Sequence, residues 1–254
     1  MKVRVLGCGT SSGVPRIGND WGACDPAEPR NRRTRVSILV ESATTRILVD
    51  TGPDMREQLL AADVSMVDAI IWTHDHADHT HGIDDVRQLF HARGAPVPGY
   101  ARADTAAVLR ERFTYAVEGR GDYPAMIALA DLPDRLRIGD IDIGVVDQPH
   151  GTITSAGLRF EHGGRAIGYA TDFNILTLLM HNHYKELDVW IVDALRRAPH
   201  VSHPTLAQVV GWAAELTPKR TILTHMDQSM DYAGLIAELP PGIEPGYDGL
   251  EIRL

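Results

Sequence analysis

Residues 73–79 read Thr-His-Asp-His-Ala-Asp-His, directly after the apolar run Val67-Asp68-Ala69-Ile70-Ile71-Trp72. Three histidines and two aspartates therefore leave the end of a buried strand within the six residues 74–79. Imidazole nitrogen and carboxylate oxygen are the ligand atoms of divalent zinc, manganese and iron. His74 and His76 stand two apart and project the same way from an extended segment. Asp78 and His79 follow where the chain turns into a helix and can face a second ion. A polar loop that is His-rich by accident would not combine these ligand types, this spacing and this strand-end position.

Three further sites repeat the pattern of a His or Asp at the end of a short β-like run. Pro149-His150-Gly151 follows Val145-Val146-Asp147, Thr171-Asp172 follows Ala166-Ile167-Gly168-Tyr169-Ala170, and Thr224-His225 follows Arg220-Thr221-Ile222-Leu223. Strand ends aim side chains outward from a rigid sheet, which is where sites gather in layered α/β proteins. Each taken alone reads more simply as a hydrogen-bonded structural residue. It is their order behind the first motif that points to metal.

His-x-His-x-Asp-His after a hydrophobic strand resembles the metallo-β-lactamase superfamily. The resemblance implies an α/β fold, a four-layer αβ/βα sandwich with a metal site at one edge. It implies two divalent metal ions, zinc or manganese. His74, His76 and His150 would hold one, Asp78, His79 and His225 the other, with Asp172 and a hydroxide between them. Two such ions about 3.5–4 Å apart lower the pKa of water and neutralise charge developing on the substrate. Asp75 is expected to orient a ligand histidine. Asp78 and His203 form the expected catalytic pair. His203 is the candidate general acid, on the loop Arg196–His203 before a helix, and His200 is the weaker alternative.

The loop Gly9-Thr10-Ser11-Ser12-Gly13-Val14-Pro15 narrows the branch. It resembles two phosphodiesterase groups, ribonuclease Z and the carbon–phosphorus lyase accessory phosphodiesterase. A Gly/Ser turn exposes backbone N–H groups and lets a phosphate come close. Residues 78–85, Leu223–Met226 with Asp231-Tyr232, and Gly246–Ile252 lean to the second branch. The resemblance implies a small, cyclic phosphodiester as substrate. One departure stands out. That branch carries several cysteines after its glycine loop to hold a structural zinc, and residues 17–25 here keep only Cys24. A ribonuclease Z-like nuclease and a glyoxalase II-like thioesterase are the competing readings.

Charge bears on that choice. With 34 acidic and 25 basic residues the net charge is −9, which disfavours a large nucleic-acid surface. Arg30, Arg32, Arg33 and Arg35 form one basic cluster, either a phosphate contact or a solvated loop. No run of about 18 apolar residues exists, so no membrane span is expected. The two cysteines are too few for a disulfide framework, and a cytoplasmic location is expected. No low-complexity linker divides residues 1–254, which are read as a single domain, with a homodimer as a compatible assembly.

Expected strands are 2–7, 35–41, 46–50, 67–73, 136–138, 141–147, 156–162, 165–170, 189–192, 220–224 and 249–253. Expected helices are 54–62, 82–92, 103–114, 174–185 and 204–216. Pro204 suits the first turn of the last helix, with Ser202 or His203 near its cap. Residues 99–131 include the helix 103–114 and a Gly-rich stretch, 118–124, where Gly119, Gly121 and Pro124 argue for a mobile or irregular connection, either an insertion near a substrate opening or a plain surface loop.

Overall fold

A computed structural model describes residues Met1–Leu254. The first half builds strands β1 (Lys2–Gly7), β2 (Ser37–Glu41), β3 (Arg46–Val49), β4 (Ala69–Ile71), β5 (Val97–Ala101) and β6 (Ile127–Asp131). The second half builds β7 (Arg135–Ile138), β8 (Ile141–His150), β9 (Ile153–His162), β10 (Arg165–Ala170), β11 (Val189–Asp193), β12 (Arg220–Thr224) and β13 (Ile243–Pro245). The last strand, β14 (Glu251–Arg253), returns to pair antiparallel with β1. Two seven-stranded sheets result, ordered β14-β1-β2-β3-β4-β5-β6 and β13-β12-β11-β10-β9-β8-β7.

Neighbouring residues of the first-sheet strands serve two different cores. Ile38, Val40, Ile47, Val49 and Ile71 face the second sheet and join the larger core with Leu158, Phe160, Ile167 and Ile191. Leu39, Leu48 and Ile70 point the other way. They pack under helices α1 (Met55–Ala61), α3 (Val86–Arg93) and α4 (Ala103–Arg112). Side chains alternate across a strand, so a strand covered on both faces needs an unbroken apolar run. The run Ile47-Leu48-Val49 meets that need. Helices α6 (Leu178–His183) and α7 (Leu206–Leu216) cover the outer face of the second sheet. The four-layer sandwich expected from the sequence is thus present.

Several local expectations are corrected. Residues 99–131 hold two parallel strands, β5 and β6, which complete the first sheet beyond β4. Between them lie α4 and the short α5 (Thr114–Val117). Pro98 and Gly99 hid β5, and Gly99 is there because a side chain would strike the Trp72 ring. The expected helix 174–185 is only Leu178–His183, capped by Thr177, because Asn174 is drawn away to the carbonyl of Val201. Helix α7 begins later than expected. Thr205 caps it in a capping box with Gln208, and Pro204 precedes the cap. That releases Ser202 and His203 for the site. The short α2 (Ala77–Thr80), α8 (Tyr232–Glu238) and β13 complete the elements the sequence left unassigned.

Candidate metal centre

The site lies where β3, β4, β8, β10, β11 and β12 end together at one edge of the sandwich. β4 delivers His74, and α2 delivers Asp78 and His79. β8 ends on His150, β11 ends on Asp193, and Asp172 and His225 follow β10 and β12. Asp172 is the centre. Its carboxylate lies 3.8 Å from His74 Nε2, 3.2 Å from His79 Nε2, 3.6 Å from His150 Nε2, 3.5 Å from His225 Nε2 and 3.9 Å from His203 Nε2. The Asp78 carboxylate stands 3.4 Å from His79 Nε2 and 3.6 Å from His225 Nε2. His74, His76, His150 and Asp172 offer ligand atoms within 4.8 Å of one another, and so do Asp78, His79 and His225. All seven residues singled out as ligands from sequence are brought together in these two groups, and a third, Asp172, Asp193, His203 and His225, shares a member with each.

Hydrogen bonds behind the rings fix which nitrogen faces inward. His79 Nδ1 pairs with the Asp50 carboxylate at 2.7 Å. That carboxylate also accepts from the backbone N–H and hydroxyl of Thr73, each at 2.8 Å. The Thr73 oxygen, with its own hydrogen committed to Asp50, is left to accept from His74 Nδ1 at 3.1 Å. His150 Nδ1 donates to the Ser202 carbonyl at 2.9 Å. His203 Nδ1 pairs with Asp193 at 2.7 Å, and the same carboxylate accepts the Asp172 backbone N–H. With Nδ1 held outward on each of these rings, Nε2 is the nitrogen turned to the centre.

The protein's own groups do not satisfy every polar atom buried here. His74 Nε2, His79 Nε2 and both ring nitrogens of His225 are buried without a hydrogen-bond partner. Acceptor lone pairs facing carboxylates cannot satisfy one another, and unpaired buried polar atoms are unfavourable. Asp50, Asp172 and His225 also hold left-handed backbone, with φ of 65°, 56° and 56°. Such conformations cost about 1–3 kcal/mol each outside glycine and cluster at functional sites. Divalent cations resolve the electrostatic conflict, so the residues present fit two of them.

Proton affinities carry the same message. Burial pushes His74 well below its ordinary value, and the nearby His79 adds to this. Burial also lowers His150 against the pull of Asp172. Burial opposes charge on His225, yet Asp172 and Asp193 raise it to about 9. His79 goes up well above its ordinary value because Asp172, Asp78 and Asp50 outweigh its burial. Burial works against the Asp172 and Asp78 charges too, but the surrounding imidazoles hold both carboxyls below the usual range. Without metal, protons on His79 and His225 supply the positive charge beside these carboxylates.

Asp75 is not where the sequence reading put it. It pairs with Arg112 instead of a ligand histidine, and Asp50 and Asp193 orient rings in its place. Both stand at strand ends, after Ile47-Leu48-Val49 and Val189-Trp190-Ile191-Val192, the same signal that exposed Asp172. His200 stays off the central carboxylate and bonds to Ser202. The arginine cluster also divides. Arg33 is buried, donating to the carbonyls of Met230 at 2.6 Å and Asp227 at 3.3 Å. Its Nη1 lies 3.9 Å from Cys24 Sγ. Arg30 stacks on Tyr232 and Tyr247, Arg32 stacks on Trp21, and Arg35 pairs with Asp54. The four guanidinium groups are thus directed to different partners.

The Gly9–Pro15 loop abuts the site. Gly9 bridges to both Arg35 and Met226, the residue after His225, and Thr10 N–H donates to the Met226 carbonyl at 3.2 Å. No helix is long and apolar enough to cross a membrane.

A four-layer sandwich with His and Asp side chains gathered on strand ends defines a class, and the chain belongs to it: residues 45–226 match the Beta-lactamase superfamily domain. A solved diphosphatase from the PhnP family is 35% identical and superimposes with a TM-score of 0.91, over 100% of this chain and 97% of that one. An octanoyltransferase from Porphyromonas gingivalis is 31% identical over 261 residues, 99% of this chain and 51% of the relative. A ribonuclease Z from Methanopyrus kandleri is 29% identical over 133 residues, 50% of this chain and 44% of the relative. The chain thus spans about half the length of the curated relatives it matches.

Proposed function

We propose that the chain is a hydrolase dependent on two divalent metal ions that cleaves a small, cyclic phosphodiester. The observation that carries this is Asp172, a single carboxylate ringed by five imidazole Nε2 atoms, beside a Gly/Ser loop locked to the residue after His225. His74, His76 and His150 would hold one ion and Asp78, His79 and His225 the other, with Asp172 common to both. When bound, the ions supply Lewis acidity and lower the pKa of water.

The chain's own residues supply the rest. Asp193 fixes His203 with Nε2 toward the site, so a proton held there can pass to the leaving oxygen. The Gly9–Gly13 turn offers a close approach for phosphate oxygens. The octanoyltransferase match covers only half of that relative, so its named activity is not carried over. The diphosphatase name of the solved relative favours a second reading, in which the bond cleaved is a phosphoanhydride between two substituted phosphates. The acidic balance of the chain weighs against a tRNA substrate.

The test has two parts. Protein purified without chelator should carry close to two equivalents of transition metal, and Asp172→Ala should lose metal and activity together. The loaded enzyme is then given cyclic phosphates, linear diesters, dinucleoside diphosphates, precursor tRNA and S-lactoylglutathione. A cyclic phosphate should be fastest. Fastest turnover of the thioester or the tRNA would move the chain to the thioesterase or nuclease reading. A folded sample that takes up neither zinc nor manganese would end the proposal.

A further inference from the structure

Most inward-facing imidazoles of the site are held from behind by a hydrogen bond, to Thr73, Asp50, Ser202 or Asp193. The His76 ring has no such partner. It is exposed, and the aromatic rings it meets are those of His74 and His150, at centroid distances of 4.5 Å and 5.1 Å. Its position must therefore come from its backbone.

That backbone is held on both sides. Downstream, the His76 carbonyl accepts from His79 N–H at 3.1 Å and Thr80 Oγ1 at 2.9 Å. Upstream, the guanidinium of Arg112, at the end of α4, grips Asp75 twice. Nη1 donates to the Asp75 carbonyl at 2.6 Å, and Nη2 pairs with its carboxylate at 3.0 Å. The carbonyl of Asp75 belongs to the peptide plane that leads into His76, so gripping it fixes how His76 leaves the strand end. A planar fork with two contacts sets orientation as well as distance, which an ammonium cannot do.

We infer that Arg112 is a positioning residue for His76, and that through it the α4–α5 segment sets the affinity of one metal position and not the other. This rests on the dimetal reading above. The competing account is a surface ion pair of no consequence to the site, since Arg112 is 44% exposed.

Zinc binding to the full chain, measured by competition with a chelating dye, separates the two. The parent protein should titrate two equivalents. Arg112→Ala should weaken one equivalent by about tenfold, the scale of a lost supporting contact, and leave the other unchanged. Arg112→Lys should fall between the parent and Arg112→Ala. Arg110→Ala, two residues earlier in α4 and bonded to the Leu129 carbonyl, should bind both equivalents as the parent does. Melting temperatures of the metal-free proteins should be alike. If Arg112→Ala binds both equivalents as the parent does, or loses both together, the inference is overturned. Should that variant fail to fold, Asp75→Asn carries the test. It keeps the carbonyl contact but not the ion pair, and should weaken the same single equivalent severalfold, no change being the overturning result. A parent that takes up no zinc would instead remove the dimetal reading itself.

Discussion

Asp50→Asn isolates the carboxylate on which half of the site leans. Asp50 is fully buried and bonds to His79 Nδ1 and to both donors of Thr73. Asparagine is nearly the same shape and tolerates the left-handed backbone at φ 65°, so the fold should survive. What changes is one atom's role. The amide oxygen can keep the Thr73 N–H, but the amide nitrogen then meets His79 Nδ1 donor to donor. The ring escapes by taking its proton on Nε2, which removes the lone pair aimed at Asp172 and Asp78. A hydrogen bond to a charged group is worth about 1.5–3 kcal/mol. At about 1.4 kcal/mol per factor of ten, the metal that Asp78, His79 and His225 would hold on the proposed reading should bind about ten to a hundred times more weakly. Dye competition with zinc reads this directly, with thermal melts of the metal-free protein as the control for folding. A folded Asp50→Asn protein that binds both equivalents as tightly as the parent would refute the reasoning. Combined with Arg112→Ala, the two losses should fall on different equivalents.

His203→Ala should keep both metals and the fold while activity falls by about 10²–10⁴. The loss should shrink for diesters with a nitrophenolate leaving group, and an equal loss on good and poor leaving groups would reduce His203 to a structural partner of Asp193. Metal uptake should release protons. His225 is raised to about 9 without metal, so it is protonated at neutral pH and must give up that proton to bind. Affinity should therefore climb as pH rises toward about 9, and calorimetry in buffers of different ionisation enthalpy will count the protons. Asp188 gives an acid limit of a different origin. Burial opposes its charge, but Lys219 at 2.7 Å, the Ala166 N–H at 2.9 Å and Arg165 at 3.1 Å lower it to about 2. Its folded value lies below the unfolded one, so its contribution is present above about pH 4 and lost as pH falls through about 2. Asp188→Asn should remove about 1 kcal/mol of that acid-sensitive stability, allowing for the exposure of Lys219, as read from urea unfolding at pH 7 and pH 2.5.

The amino-acid sequence by itself determined the layers and named the candidate ligands that the fold gathers at one edge. Strand-end positions are local in sequence, since each follows its own apolar run, so His150, Asp172 and His225 became legible once the His74–His79 motif gave their order a meaning. Runs such as Ile47-Leu48-Val49, whose lack of polar residues signals a strand covered on both faces, were legible too. Only the tertiary structure decided what stands behind the rings. Asp50 meets His79 across 29 positions, His150 meets Ser202 across 52, and Arg112 meets Asp75 across 37. A hydrogen bond between distant segments leaves no periodicity, because each partner needs only one polar residue in the right place. The same limit explains Asp75, whose position inside the motif suggested a ring-orienting role. Its side chain is drawn to a guanidinium that α4 brings alongside from another part of the chain. It also explains β5, whose proline and glycine read as loop until parallel neighbours supply the ladder and the Trp72 ring fills the space a side chain would need.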